Sequence, residues 1–201
     1  PHKDKTEELL RAYGRCVEKL GGKYITAEDV GINQSDIDLI RQETRFATGF
    51  SGGSGDPSPN TARGVWHGIR AAVKTRFGCD SLKGLTIAVQ GIGNVGYNLC
   101  KFLEQEGANL IVADIKSDVV EKAVREFNAK AVSPEDITGV KCDVFAPCAL
   151  GGVINSRTIP LLRCPIIAGS ANNVLEDDLA GEELFRLNIL YIPDFIINAG
   201  G

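Results

Sequence analysis

Three glycines with the spacing GxGxxG stand between an apolar, β-branched stretch and a helical pattern. Gly91 permits a tight turn, Gly93 lets the backbone approach a pyrophosphate, and Gly96 lets the next helix lie close to the strand. The helix that begins near Asn94 offers unpaired N–H groups and a positive dipole end to phosphates. The pattern therefore predicts a dinucleotide-binding turn. The cofactor-binding residues predicted in it are Gly91, Ile92, Gly93, Asn94, Val95 and Gly96.

A carboxylate follows the next apolar stretch and indicates which dinucleotide binds. Asp114 ends that stretch, where an acidic side chain accepts hydrogen bonds from the adenosine ribose hydroxyls. A 2′-phosphate facing this carboxylate would cost about 1–4 kcal/mol at intermediate dielectric. We therefore predict NAD rather than NADP as the cofactor, and we interpret the nearby Lys116 as a solvated surface side chain.

Strand and helix patterns alternate along the chain from residue 61 onward. The predicted helices cover 61–77, 95–105 and 118–127, and the located strands cover 85–90, 109–113, 143–146, 165–168 and 189–192. About six strands joined by crossovers predict the α/β class, with a doubly wound parallel (Rossmann) sheet. Ligands of such sheets bind at the carboxyl ends of the strands. No helix is expected after the last strand.

The first 50 residues have a different pattern and too few elements to bury a core of their own. A helix over 3–20 is expected to end at Gly21-Gly22, a short strand to follow at 24–26, and Ser35 with Asp38 to open a helix that ends near Thr44. A Gly/Ser/Pro-rich stretch comes next. We therefore predict a remnant of a substrate domain (1–50), a hinge loop (51–60) and an NAD-binding Rossmann domain (61–201).

Composition excludes several classes of partner. The net charge is −4 and no Lys/Arg block occurs, so nucleic acids and anionic membranes are not expected to bind. No apolar run is long enough to span a membrane, and the first residues do not form a signal peptide. The 6 cysteines contain no CxxC pair and accompany only 2 histidines, so no disulfide framework or metal site is predicted. Reduced thiols and a cytoplasmic location fit this pattern better.

Several longer motifs resemble those of the Glu/Leu/Phe/Val amino-acid dehydrogenase family, most closely its leucine-specific branch. The resemblance covers essentially the whole chain, in order. The motifs are YITAEDVG (24–31), GDPSPNTARGV (55–65), GIGNVG (91–96), KCDVFAPCALGG (141–152), IIAGSANN (166–173) and IPDFIINAGG (192–201). The resemblance implies NAD-dependent oxidative deamination of a branched-chain or similar apolar L-amino acid to its 2-oxo acid and ammonia. It also implies that the enzyme is homo-oligomeric.

The resemblance also implies roles for individual residues. Asp29 matches the catalytic aspartate, which exchanges protons with the substrate nitrogen and the attacking water. Further cofactor contacts fall on Thr61, Cys148, Ala149, Leu150 and Asn172, and Asn173 is a candidate substrate contact. From residue type alone, an aspartate such as Asp29 before Val-Gly is usually a turn residue, and only the resemblance favours a catalytic role. Each loop residue is equally one that satisfies its own backbone.

The resemblance implies limits as well. The family carries two catalytic lysines ahead of the region matched here and further helices after it, so we expect a fragment that is inactive by itself. Gly21-Gly22-Lys23 is interpreted as a helix end rather than as the lysine motif. Two alternatives stay open: an NAD-binding or regulatory module without catalysis, and a relative specific for valine or phenylalanine.

Overall fold

The computed structural model describes residues 5–29, 31–53 and 55–200. These residues form two compact units, which divide the chain into Pro1–Pro57 and Ser58–Gly201. The division falls inside the segment 51–60, the Gly/Ser/Pro-rich stretch predicted to be a hinge loop.

Two helices make up most of the first unit, α1 (Glu7–Lys19) and α2 (Gln34–Arg41). The side chain of Thr6 caps α1 by accepting a hydrogen bond from the Leu9 N–H at 3.2 Å. The predicted start of this helix, residue 3, lies outside the described residues. After α1, Gly21 and Gly22 have positive φ angles of 60° and 86°, which a helix cannot continue, so the helix ends before this pair as predicted.

The start of α2 corrects the predicted capping pair. Asn33 is the capping residue: its Oδ1 accepts from the Asp36 N–H at 3.1 Å, and Asp36 Oδ2 accepts from the Asn33 N–H at 2.8 Å. The prediction of Ser35 with Asp38 is therefore wrong, because an asparagine earlier in the chain satisfies the first amides. The helix also ends before the predicted Thr44.

The first unit buries a small apolar cluster, contrary to expectation. Its buried members are Leu10, Ile37, Ile40 and Ala47. A close approach of the two helices explains the cluster, since a Cβ on Gly14 would lie only 2.8 Å from the Ile40 carbonyl oxygen. The short strand predicted at 24–26 is reduced to a single parallel bridge between Thr26 and Ala47.

The second unit is built around six parallel strands in the order β3-β2-β1-β4-β5-β6. The strands are β1 (Thr86–Gln90), β2 (Asn109–Ala113), β3 (Lys130–Ala131), β4 (Val144–Pro147), β5 (Ile166–Ile167) and β6 (Leu190–Tyr191). The helices are α3 (Ser58–Phe77), α4 (Asn94–Gln105), α5 (Ser117–Phe127), α6 (Asp178–Arg186) and α7 (Asp194–Ile197). This order is that of a doubly wound Rossmann sheet and confirms the predicted fold class.

Three elements differ from the prediction. Helix α3 begins at Ser58 rather than near Thr61. Strand β3 has only 2 residues, both exposed at the sheet edge, so it has no apolar run by which a pattern locates it. Helix α7, with 4 residues, follows β6, where no helix was expected.

Both faces of the sheet are buried, because successive strand residues point to opposite sides. Ile87 and Val89 belong to the cluster under α3, α4 and α5. Ala88 and Phe145 belong to a second cluster, which α6 and two 3₁₀ turns cover. None of the helices in the described ranges is long and apolar enough to cross a membrane.

The second cluster gives a stability test. Phe145 is 1% exposed, so Phe145→Ala should lower the free energy of unfolding by about 3–5 kcal/mol through lost contacts and a cavity. The matched control is Phe185→Ala, because Phe185 is 87% exposed and its loss should cost less than about 0.5 kcal/mol. Urea denaturation measures both; equal losses would contradict this description of the core.

Candidate functional site

The glycine-rich turn lies at the carboxyl end of β1, in the middle of the sheet. The Gly91 N–H donates to the Ala113 carbonyl oxygen at 2.8 Å, which ties the turn to the end of β2. On the other side of β1, the Cys148 N–H donates to the Gln90 carbonyl oxygen at 2.7 Å. The turn is thus held between the ends of both neighbouring strands.

Two of the three glycines have no room for a side chain, and the third borders open space. Gly91 has a φ of +91°, and a Cβ there would lie 2.8 Å from the Ala149 nitrogen. A Cβ on Gly96 would lie 2.0 Å from the Gly91 carbonyl oxygen, closer than any side chain allows. A Cβ on Gly93, in contrast, would meet nothing within 4 Å. Gly91 and Gly96 are therefore required by packing, whereas Gly93 borders open space.

Helix α4 directs its amino end toward that open space. Its capping residue is Gly93, which provides no side-chain hydrogen bond to the first amides, and its first turn contains no acidic side chain. The backbone N–H groups and the positive end of the helix dipole are thus left to attract an anion. Asn94 begins the helix with an exposed side chain.

Asp114 is held in a fixed orientation at the end of β2. Its Oδ2 accepts from the Ile92 N–H at 2.7 Å, and its Oδ1 accepts from the Lys116 N–H at 2.9 Å. A carboxylate oxygen has room for further hydrogen bonds beyond one backbone amide. The carboxylate can therefore both brace the turn and accept from a ligand. The Lys116 side chain is exposed, as predicted.

Two residues of the turn are directed into the protein. Ile92 is 2% exposed within the cluster under α3, α4 and α5, and its N–H is engaged by Asp114. Val95 packs against the same cluster. The structure thus gives their side chains an anchoring role, which the sequence pattern did not separate from ligand contact.

The loop after β4 lies beside the turn. Ala149 and Leu150 are exposed, Leu150 by 72%, which leaves an apolar surface open to a ligand. Cys148 is half-buried; burial raises the pKa of its thiol, and hydrogen bonding to Ser170 opposes that rise. Its thiol is therefore a packing group next to the turn rather than a thiolate.

The loop after β5 carries the two predicted asparagines, and both are exposed. Asn172 Oδ1 accepts from the Asn198 side-chain amide at 2.5 Å. Asn173 has a left-handed φ of 52°, and its N–H donates to Asp194 Oδ2 at 2.5 Å. Both partners, Asn198 and Asp194, border or belong to α7, the helix that sequence reasoning missed.

Helix α3 brings Thr61 into the second unit, within its first turns and half-buried. The same helix contacts the end of the unit: a Cβ on Gly64 would lie 3.3 Å from the Gly200 Cα. Thus Thr61 and the motif at 192–200 belong to one packed region, although they lie far apart in the sequence.

Asp29 belongs to the first unit, where its side chain is exposed and its carbonyl oxygen accepts from the Ile32 N–H at 2.9 Å. The preceding residue, Glu28, was not singled out by the sequence, yet its Oε2 is buried without a hydrogen-bond partner among the described residues. Burial, together with the nearby charges of Asp56 and Asp36, raises the pKa of Glu28. The motif therefore pairs an exposed carboxylate with a partly buried one whose pKa is raised.

Within the described ranges, no cluster of three or more His, Cys, Asp or Glu side chains has the arrangement of a metal site. The chemical groups gathered at the carboxyl edge are backbone amides, the carboxylates of Asp114 and Asp194, amide side chains and a small apolar surface. That set suits a ligand with phosphate, ribose and an apolar ring.

Comparisons with known proteins point to one family. A family model described as Glutamate/Leucine/Phenylalanine/Valine dehydrogenase matches residues 52–123 and 111–201. A leucine dehydrogenase of Geobacillus stearothermophilus is 56% identical over 100% of this chain and 56% of its own length. The chain thus spans little more than half the length of the curated relatives it matches.

Solved structures agree with the fold. The crystal structure of L-tryptophan dehydrogenase from Nostoc punctiforme aligns with a TM-score of 0.78 and 47% identity, over 98% of this chain and 57% of that chain. A hetero-hexameric glutamate dehydrogenase from Thermus thermophilus also aligns with a TM-score of 0.78, over 97% of this chain and 53% of that chain. Its identity is 23%, so this second likeness concerns the fold alone.

The turn geometry predicts losses of stability of very different size for two glycine substitutions. Gly96→Ala should lower the free energy of unfolding by about 3 kcal/mol, because the new Cβ collides with backbone that cannot move aside. Gly93→Ala should lower it by less than about 1 kcal/mol, the cost of a poorer helix cap, because the new Cβ meets open space. Urea denaturation of both variants measures the difference. The described approach of α4 to the turn is incorrect if Gly96→Ala is as stable as Gly93→Ala.

Proposed function

Because the chain belongs to the glutamate/leucine/phenylalanine/valine dehydrogenase family, we propose that it is the NAD-binding part of an amino-acid dehydrogenase. The proposed reaction is the oxidative deamination of a branched-chain or similar apolar L-amino acid to its 2-oxo acid and ammonia. The observation that carries the proposal is the glycine-rich turn at the α4 amino end, braced by a fixed Asp114 carboxylate.

The turn fits the diphosphate of a dinucleotide. Gly93 has space in front of it that a side chain would occupy, and the first amides of α4 lack a side-chain cap. An anion is stabilised at such a site by backbone hydrogen bonds and the helix dipole together. We assign Gly93, Asn94 and the Gly96 amide to this contact, with Ile92 and Val95 anchoring the turn behind it.

Asp114 supports NAD rather than NADP. Two backbone amides fix the orientation of its carboxylate, so it cannot readily turn away from a 2′-phosphate. Ribose hydroxyls, in contrast, are donors that a carboxylate accepts. We further assign Cys148, Ala149 and Leu150 to the adenosine–ribose side.

The remaining assigned residues concern the reacting end of the cofactor. We place Thr61 and Asn172 beside the nicotinamide and its carboxamide, with Asn173 as a substrate contact. Bound NAD supplies the acceptor for the hydride that leaves the substrate α-carbon. Asp29 is proposed to exchange protons with the substrate nitrogen and with the water that attacks the resulting iminium carbon, the role of a general base and acid.

The class of substrate rests on the relatives. Leucine and L-tryptophan dehydrogenases are both about half identical to this chain, which supports an apolar L-amino acid and leaves its side chain open. The alternatives to this proposal are a valine- or phenylalanine-specific enzyme and a binding module without catalysis. We also propose a homo-oligomeric parent. For its location we propose the cytoplasm, which the six free cysteines support.

The cofactor assignment predicts a charge-dependent preference. The chain should bind NAD more tightly than NADP in isothermal titration, and Asp114→Ala should weaken NAD binding at least about tenfold, since hydrogen bonds to a charged group contribute about 1.5–3 kcal/mol. Asp178→Ala, which removes the same charge from an exposed position on α6, is the control and should leave binding unchanged. Equal affinity for NAD and NADP would contradict the role given to Asp114.

The catalytic role proposed for Asp29 predicts that its substitution lowers kcat. The test needs a protein that contains this sequence and is as long as the curated relatives. In that protein, Asp29→Asn should lower kcat by about 10²–10⁴-fold, because a positioned acid–base group typically contributes that much. The measurement is leucine-dependent formation of NADH. The control is Asp38→Asn, which makes the same chemical change and should leave kcat unchanged. Asp38 accepts a hydrogen bond from the Ser51 N–H at 2.8 Å, so its role is structural. An unchanged kcat for Asp29→Asn would remove it from the mechanism.

A further inference from the structure

The shortest helix of the second unit holds the loop after β5 at two points. Asp194 begins α7 and Asn198 follows its last residue, so their side chains lie one turn apart. Both make hydrogen bonds to the segment 170–173, the loop that carries Asn172 and Asn173. Neither residue has a role in the function proposed above.

Asp194 makes the stronger of the two attachments. Its Oδ2 accepts from the Asn173 N–H at 2.5 Å, and its Oδ1 accepts from the Tyr191 hydroxyl at 3.1 Å. Burial and the adjacent Asp194 charge raise the pKa of Tyr191 to about 12, so this hydroxyl stays protonated and donates. Hydrogen bonds to an ionised carboxylate are stronger than those between neutral groups.

Asn198 makes the second attachment. Its side-chain amide donates to Asn172 Oδ1 at 2.5 Å and to the Ser170 carbonyl oxygen at 3.3 Å. The amide of Asn172 is therefore oriented: its oxygen is taken by Asn198, and its NH₂ group remains for another acceptor.

The loop after β4 also confines the loop after β5. The Gly152 N–H donates to the Asn173 carbonyl oxygen at 2.7 Å, and a Cβ on Gly151 would lie 2.4 Å from the Asn172 carbonyl oxygen. Asn173 keeps a φ of 52°, a conformation that costs free energy for any residue except glycine but least for asparagine. Contacts on both sides thus fix one conformation of this loop.

Strand order indicates which part of a dinucleotide meets this loop. Asp114 follows β2 and Asn172 follows β5, so three inter-strand steps of about 4.8 Å separate them along the carboxyl edge. A dinucleotide lies across this edge in an extended form, with its diphosphate at the turn between. When the adenosine ribose meets Asp114, the nicotinamide end therefore reaches toward β5.

We propose that Asp194 and Asn198 are positioning residues: they hold the loop of Asn172 and Asn173 so that Asn172 is placed to bind the nicotinamide end of NAD. This inference rests on the proposed NAD-binding function. It predicts an effect restricted to one half of the cofactor, because α7 holds the β5 loop and has no part in the turn or in Asp114.

Comparing two ligands tests the proposal. ADP-ribose contains the adenosine, diphosphate and second ribose of NAD but lacks the nicotinamide. Asp194→Asn and Asn198→Ala should each weaken NAD binding about tenfold, equivalent to about 1.4 kcal/mol, and change ADP-ribose binding less than about twofold. Isothermal titration of each variant with both ligands gives the ratio of affinities, a quantity that general destabilisation does not change.

The control variant is Asp143→Asn. Asp143 also accepts from a backbone amide, that of Thr86 at 2.7 Å, but at the amino edge of the sheet. It should leave the affinity ratio unchanged. Tyr191→Phe provides a milder variant that keeps the carboxylate, and a smaller loss confined to NAD is expected.

The outcomes are distinguishable. Equal weakening of NAD and ADP-ribose binding by the α7 variants, or no weakening of either, would overturn the positioning role while leaving NAD binding intact. Failure of the unaltered chain to bind either ligand would instead overturn the proposed function itself, and this inference with it. A loss specific to NAD supports both.

Discussion

The approach of Gly96 to the Gly91 carbonyl oxygen is the constraint on which the candidate site depends. Because a side chain at Gly96 would stand 2.0 Å from that oxygen, α4 can lie directly over the turn only with glycine there. This contact sets where the helix begins, and therefore where its free amides are directed. The α4 position in turn determines how α3 packs, since these two helices share one buried cluster.

The carboxyl edge divides into two halves around this contact. On one side, Asp114 braces the turn through the Ile92 amide. On the other, the loops after β4 and β5 lie against each other, so closely that Gly151 has no room for a side chain. The first half is organised by the Asp114 carboxylate, and the second by the Asp194 carboxylate together with backbone and side-chain amides.

The sequence predicted what depends on local pattern. Strand β2 and the start of α4 were located correctly because apolar periodicity and the glycines mark them. Strand β3 was not located, since an exposed two-residue edge strand buries no side chain. Helix α7 was missed because its stability comes from tertiary hydrogen bonds to the β5 loop rather than from length. For the same reason Asp194 gave no signal, and the hydrogen bond by which Asp114 braces the turn joins residues that lie far apart in the sequence.

The glycines of α3 and of the segment 197–200 have a consequence for how the first helix of the second unit is fastened. A Cβ on Gly200 would lie 2.5 Å from the Asn60 carbonyl oxygen, and a Cβ on Gly64 would lie 3.3 Å from the Gly200 Cα. Backbone therefore packs directly on backbone here, and any larger residue would push the two segments apart. The segment that carries Asn198 is thus fastened to α3 without a side chain between them, although the two lie at opposite ends of this unit's sequence.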